Sequence, residues 1–346
     1  MALNPPPVPL PNFREGDLGG GFIQQSLSLQ KNKPLMENKV KKLNYDELLE
    51  IMRHYDTESI FDKVNVIPDS EDLHEAISEY INLRSFVKRS VLGIDIYRYG
   101  MYKHLEQVLI PPLFKILFEK AIRLCLENNQ FIFQRYTKEK IEKSFISTGD
   151  GGFVIFETPL HALFFAINFE MVIRAYNSYH LFPKLRNIIG SLSLRYAISY
   201  DTIFHFDDNF YGSAIINNAR ILDKDALNRC LIDQQTYDWF LISIDGLENL
   251  QVLTISDIAN IYDFLDYERK WIKEGSNQIL DTNASNRRTG IINSDILKVG
   301  QIQSKETLIN IFNLHLQISM EIYSDRKVES KRTITVSLGN LNTSGI

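Results

Sequence analysis

Cysteine is scarce: Cys125 and Cys230 are the only two in 346 residues. They lack the spacing of a metal site or a redox pair, which suits a reducing compartment. The seven histidines are scattered, no two of them four apart, so a zinc site on a helix is not expected. An excess of positive charge is missing as well. The net charge is −5, so no global field draws nucleic acid, and a nucleotide substrate would need local cations or metal. No apolar run is long enough to span a bilayer; the nearest, Val108 to Phe118, is interrupted by Pro111, Pro112 and Lys115. The opening stretch, MALNPPPVPLPNFREGDLGGG, lacks the charged start and apolar core of a signal peptide. The expected location is cytoplasmic, and neither a membrane nor a nucleic-acid partner is expected. There is no internal repeat.

What is present is the composition of a soluble globular protein, 44% hydrophobic and 23% charged. Residues 1–42, rich in Pro, Gly, Asn and Lys, read as a flexible lead-in whose lysines are a solvated tail. Residues 43–85 carry helices. One starts at Asn44, with Glu47 three residues on, and lines up Leu48, Ile51, Met52 and Tyr55. The other runs from Ser70 to Leu83, with Glu71 and Asp72 at its positive end. Phe86 to Ile96 then reads as a strand. Helical spacing follows from Leu105 to Leu124, with Pro111 or Pro112 expected to start or kink that helix. Phe145 to Phe156 has the form of a hairpin with GDGG at its turn, and Thr158–Pro159 opens another helix. Leu192 to Ser199 alternates like a half-buried strand. The turn DDNFYG leads into a helix over 213–222. Residues 86–272 therefore form an α+β domain, with helices on one face of a mainly antiparallel sheet. Residues 273–346 begin as a linker and end in two alternating runs that suit a hairpin-like extension.

Two strand-like runs each arrive at a single carboxylate: Asp95 in SVLGIDIYRYG and Asp150 in FISTGDGGFVIF. Aspartate is a poor strand residue, and one flanked by isoleucines is costly unless paired or liganded. Asp150 taken alone reads equally well as a turn aspartate. Brought together, the two could hold divalent metal against a phosphate substrate.

Five motifs in order resemble the class III nucleotidyl cyclases: IDIYRYG, STGDGGFVIF, TPLHALFFAINF, LSLRYAIS and YGSAIINNARI. The resemblance covers roughly 86–240. It implies a ferredoxin-like α+β domain that cyclises a nucleoside triphosphate and releases pyrophosphate. It also implies two divalent ions, Mn²⁺ or Mg²⁺, held by Asp95, Asp150 and the backbone carbonyl of Ile96. Arg220, eight residues after Gly212, matches the family arginine that stabilises transition-state charge. That arginine comes from the partner subunit in the family, which implies a homodimer with shared sites. The positions that select a purine hold Ile146 and Asn209. An isoleucine donates no hydrogen bond to a ring nitrogen, so ATP is disfavoured. The family asparagine four residues before the arginine is replaced by Ile216, with Asn217 and Asn218 following; either a neighbouring asparagine, Asn217 being the candidate, substitutes for it or that contribution is absent. The run Arg98-Tyr99-Gly100 resembles that of the pyrimidine cyclases of the Pycsar antiphage system. Tyr97 and Tyr99 are candidates to stack on a base, and Arg98 to reach phosphate. By this resemblance UTP is the favoured substrate, the product, cyclic UMP, acting on a separate effector protein. The alternatives are CTP, a purine triphosphate, or a silent cyclase-like module that binds nucleotide.

Overall fold

The computed structural model describes residues 40–55, 69–81, 86–251, 261, 290–303, 308–323, 331–342 and 344–346. Most of the expected lead-in and the linker-like stretch after 272 lie outside the described residues. In chain order, β1 (Lys42–Leu43) precedes helices α1 (Tyr45–His54) and α2 (Glu71–Ile81). Asn44 caps α1 by accepting the Asp46 N–H, as its sequence position predicts. The Tyr80 hydroxyl, on α2, both donates to the Asn44 carbonyl and accepts from its N–H, clasping the two helices together.

The central unit follows: β2 (Val87–Ile96), α3 (His104–Asn128), α4 (Lys138–Lys143), β3 (Phe145–Ser147), β4 (Gly151–Phe156), α5 (Pro159–Asn177), α6 (Pro183–Ile189) and β5 (Leu194–Phe206). Its strands lie in the order β5-β2-β4-β3, all antiparallel. A strand–helix–hairpin–helix–strand unit with these pairings is ferredoxin-like, in agreement with the expected fold class. Beyond it come β6 (Asn209–Tyr211), α7 (Ser213–Lys224), β7 (Cys230–Asp233), α8 (Gln234–Ile244), β8 (Gly290–Gln303), β9 (Leu308–Tyr323) and β10 (Lys331–Leu338). β7 adds to β5 in parallel, and β9 adds to β7. The two alternating runs near the C-terminus are thus β9 and β10, and they extend the main sheet. Leu314 pairs with both Cys230 and Ile296, and Leu316 with both Leu338 and Ser294. Hence β8 lies along one edge of β9, while β7 and β10 share the other.

The period-2 geometry of β2 divides its side chains between two layers. Leu92, Ile94 and Ile96 enter the main core with α3 and α5. Val91 enters a smaller cluster with Ala214 of α7. Helices therefore cover both faces of the sheet, where the sequence suggested one. The reason lies in α7: its buried stripe of Ala214, Asn218, Ile221 and Leu222 needs a partner of its own. Asn218 is fully buried and donates to the carbonyls of Val91 and Ala197, which fixes α7 to β2 and β5.

The prolines of α3 correct a second expectation. Pro111 and Pro112 sit inside the helix. Its start lies earlier, where the Lys103 N–H donates to the Glu106 carboxylate. A proline at 111 has no N–H to offer the carbonyl four residues back. That carbonyl belongs to Gln107, and it accepts the Tyr99 hydroxyl at 2.9 Å instead. The proline at 111 is tolerated because the acceptor it frees has another donor.

Asp233 ends β7 and caps α8, accepting from the Thr236 and Tyr200 N–H groups while almost wholly buried. Burial pushes its carboxyl up to about 6, against the pull of those hydrogen bonds. A carboxyl raised on folding contributes stability that is complete below the unfolded value of 3.8 and lost as pH rises through the folded one. In urea melts, the stability of the wild type relative to Asp233→Asn should fall between pH 4 and pH 7 by up to about 3 kcal/mol. A pH-independent difference would show that Asp233 stays ionised throughout.

Candidate active site

Asp95 is the ninth residue of β2, and the register sets it opposite Gly151 of β4 on one side and Arg195 of β5 on the other. It points to the face that carries α7, because Ile94 and Ile96 take the core face. Asp150 arrives from the β3–β4 hairpin. The Thr148 N–H donates to the Gly151 carbonyl, leaving Gly149 and Asp150 as a two-residue loop. Gly149 has φ +106°, a backbone conformation that favours glycine, while Asp150 keeps a negative φ. Gly151 is required for a different reason: a Cβ there would run into the Ile94 carbonyl. With only hydrogen at 151, β4 comes close enough for the Ile96 N–H to donate to the Asp150 carbonyl at 3.3 Å. The two aspartates of the sequence are thus brought to one place.

Electrostatics agree with that proximity. Burial pushes the Asp95 carboxyl up; Arg195 pulls it down by hydrogen bond and charge; the Asp150 carboxylate pushes it up again. The net direction is upward, so desolvation outweighs a directly bonded guanidinium. Arg195 Nε donates to Asp95 Oδ2 at 2.5 Å, with the aspartate side chain 18% and the arginine 24% exposed. Among the described residues no three His, Cys, Asp or Glu side chains cluster as a metal site. Two carboxylates and a neighbouring carbonyl, that of Ile96, nevertheless suit Mg²⁺ or Mn²⁺. Such ions are commonly held by one or two carboxylates, with substrate phosphates and water completing the shell. The donor set fits, with Arg195 as a competitor for the charge of the Asp95 carboxylate.

The other expected residues are placed as follows. Tyr97 donates its hydroxyl to the Ala226 carbonyl, and the Arg98 guanidinium lies 4.9 Å from the centroid of its ring. Arg98 itself is exposed and has φ 59°, an uncommon conformation for a residue with a side chain. Tyr99 packs against the main core with its hydroxyl committed to Gln107. Ile146 packs on the cluster of Val91, Ile155, Ile203 and Ala214, as does Phe210. Asn209, beside Phe210, is exposed and accepts the Phe210 N–H. Arg220 and Asn217 lie on α7 off its buried stripe, both partly exposed. The charged groups that shift Asp95 are Arg195 and Asp150, and Arg220 is not one of them. A cleft of about 400 Å³ lined by Glu170, Arg174 and Gln317 opens on the opposite face of the sheet, where Tyr196 meets Glu170.

Sequence reasoning missed Arg195 as part of the site. The alternation of Leu194, Tyr196 and Ile198 put it on the non-core face of β5, but nothing local shows that this face meets Asp95. It missed the Asp225–Arg229 pair as well, both side chains being 1% exposed.

No family model and no curated protein matches the chain. Solved structures similar to it include an adenylate/guanylate cyclase/hydrolase from Silicibacter pomeroyi, at 12% identity and TM-score 0.34, covering 66% of this chain and 96% of that one. An adenylyl cyclase from P. aeruginosa is 16% identical with TM-score 0.31, over 69% and 95% of the two chains. Adenylate cyclases from Trypanosoma brucei are 12% identical with TM-score 0.33, over 66% and 87%.

The commitment of Tyr99 can be tested directly. Tyr99→Phe should lower the unfolding free energy by about 1 kcal/mol, because the Gln107 carbonyl loses its donor inside a proline-interrupted helix. Unchanged urea melts would mean that water replaces the hydroxyl.

Proposed function

We propose that the protein is a metal-dependent nucleotidyl cyclase that converts UTP to 3′,5′-cyclic UMP and pyrophosphate. The observation that carries this proposal is the meeting of Asp95 and Asp150, joined by the Ile96–Asp150 backbone hydrogen bond and coupled in charge. The ordered motifs that resemble class III cyclases supply the reaction type.

Asp95, Asp150 and the Ile96 carbonyl would hold Mg²⁺ or Mn²⁺, which when bound acidifies the ribose 3′-hydroxyl and neutralises the triphosphate. The chain's own residues do the rest. The β3–β4 turn presents Asp150 on a rigid hairpin, and β2 presents Asp95 at the end of a buried strand, so both ligands come from well-supported backbone. Arg220 is suited to the charge that develops on the phosphate, since a guanidinium donates two parallel hydrogen bonds. Its place on α7, off the stripe that packs on this chain's own sheet, suits delivery to the site of a second subunit. We therefore propose a homodimer with shared sites, and Asn217, three residues before it, as the accompanying amide.

The preference for a pyrimidine has two supports. Ile146 sits on an apolar cluster and offers no donor to a purine ring nitrogen. The Tyr97–Arg98 pair forms a cation–π unit beside Asp95, able to meet a smaller base and a phosphate. CTP is the nearest alternative on the same grounds. A role in antiphage signalling, with cyclic UMP acting on a separate effector in the cytoplasm, rests on the resemblance of the RYG run.

Purified protein given each of the four ribonucleoside triphosphates with Mn²⁺ should yield cyclic UMP as the dominant product by mass. Cyclic AMP in its place would sink the pyrimidine preference, and no product from any triphosphate would leave a nucleotide-binding module. Asp150→Ala should lower turnover by at least about a thousandfold and leave the melting curve unchanged. Unaltered turnover would remove the carboxylate pair from the mechanism.

A further inference from the structure

Arg195 does more in this site than balance charge on a strand. Its Nε donates to Asp95 Oδ2, on the carboxylate that a divalent ion would share, and its Nη1 donates to the Asp225 carbonyl at 2.6 Å. Asp225 follows directly on α7 and is held from all sides. Its Oδ1 accepts from the Leu227 N–H and from Arg229 Nε, and its Oδ2 accepts from the Arg229 N–H. Both members of this ion pair are 1% exposed. Separating them would strand a charge in the interior, so the loop they form is stiff. Arg229 Nη1 is spent in turn on the Ser344 carbonyl near the C-terminus, at 2.7 Å. The same loop accepts the Tyr97 hydroxyl through the Ala226 carbonyl. Arg195 is therefore anchored at one nitrogen by rigid structure and offers the other to Asp95.

We infer that Arg195 is a positioning residue and resident cation of the carboxylate site: it holds Asp95 Oδ2 in the place of a divalent ion, braced by the Asp225–Arg229 loop, and surrenders that oxygen when metal binds. The inference rests on the metal-site proposal above. A guanidinium and a divalent cation repel each other at one carboxylate and compete for its negative charge, so Arg195 lowers the affinity of the substrate-free protein for metal. The anchor at Asp225 lets Arg195 give up one hydrogen bond while keeping the other, so the exchange needs no movement of the backbone. While it holds, Arg195 also keeps Asp95 oriented, so that the ligand is already in place when metal arrives.

The test uses the full-length, substrate-free protein and Mn²⁺ alone, with free Mn²⁺ counted by electron paramagnetic resonance. Arg195→Met keeps most of the stem and removes the cation; it should bind Mn²⁺ about tenfold more tightly than the wild type. Arg195→Lys, which leaves a positive charge near Asp95, should stay within about threefold of the wild type. Asp150→Ala should abolish the binding in both backgrounds. A residue with a purely structural role would weaken metal binding when removed, so the sign of the change discriminates. If Arg195→Met binds no more tightly while Asp150→Ala still abolishes binding, the resident-cation role is overturned and the metal site stands. If no Asp150-dependent binding appears in either background, both fall. A second measurement needs no folded Met variant. The Nε–H resonance of Arg195 in the wild type, assigned by its loss in Arg195→Lys, should shift on saturation with Mg²⁺. A resonance that does not move overturns the displacement.

Discussion

The structure depends on the pairing of β2 between β4 and β5. That one strand, antiparallel to both neighbours, sends Leu92, Ile94 and Ile96 into the core beneath α3 and α5. It presents Asp95 to the other face, between Gly151 and Arg195. Strand periodicity makes this all-or-none: a slip of one residue would send the carboxylate into the core and the isoleucines out of it. The large hydrophobic burial that fixes the register thus also fixes the chemistry. The desolvation that raises Asp95 comes from the same packing, and the site gains a poised carboxylate from the forces that fold the sheet.

Just beyond Asp95 the chain makes a tight turn whose side chains are tied in opposite directions. Tyr97 reaches back to the loop after α7, and Tyr99 reaches forward into α3. Between them Arg98 takes a left-handed conformation and folds over the Tyr97 ring. A non-glycine residue in that region costs of order 1–3 kcal/mol and persists where its surroundings over-determine it. Here the two tyrosine hydroxyls do so, and the Arg98 side chain between them faces solvent.

Much of this was legible in the sequence where the signal is local. The capped start of α1, the Thr158–Pro159 opening of α5, the GDGG turn and the alternation of β5 all reduce to neighbouring residues and their dihedral preferences. Asp95 was legible because an aspartate in an isoleucine-rich strand contradicts its surroundings, whereas Asp150, in a turn that suits aspartate, stood out only through its place in the ordered motifs. What escaped depends on contacts distant in sequence. Whether Arg195 meets Asp95 is decided by register across a hundred residues. That Pro111 is harmless depends on a hydroxyl from another element. That α7 lies opposite α3 and α5 follows from a buried asparagine whose partners are strand carbonyls. In each case the residue was visible and its partner was not.

The C-terminal strands carry a consequence of a different kind. Among the described residues β8 pairs with β9 alone, so its outer row of N–H and C=O groups is an open edge over Gly290–Gln303. An edge of that length is a template on which another chain can add. Its register against β9 shifts twice, between Ile291 and Asn293 and between Lys298 and Gly300, and Ile346 packs beside Gly300. Each shift bends the strand and breaks the run of evenly spaced groups that an incoming strand would need. Among the described residues, the irregularity of β8 itself works against the addition of another strand along this edge.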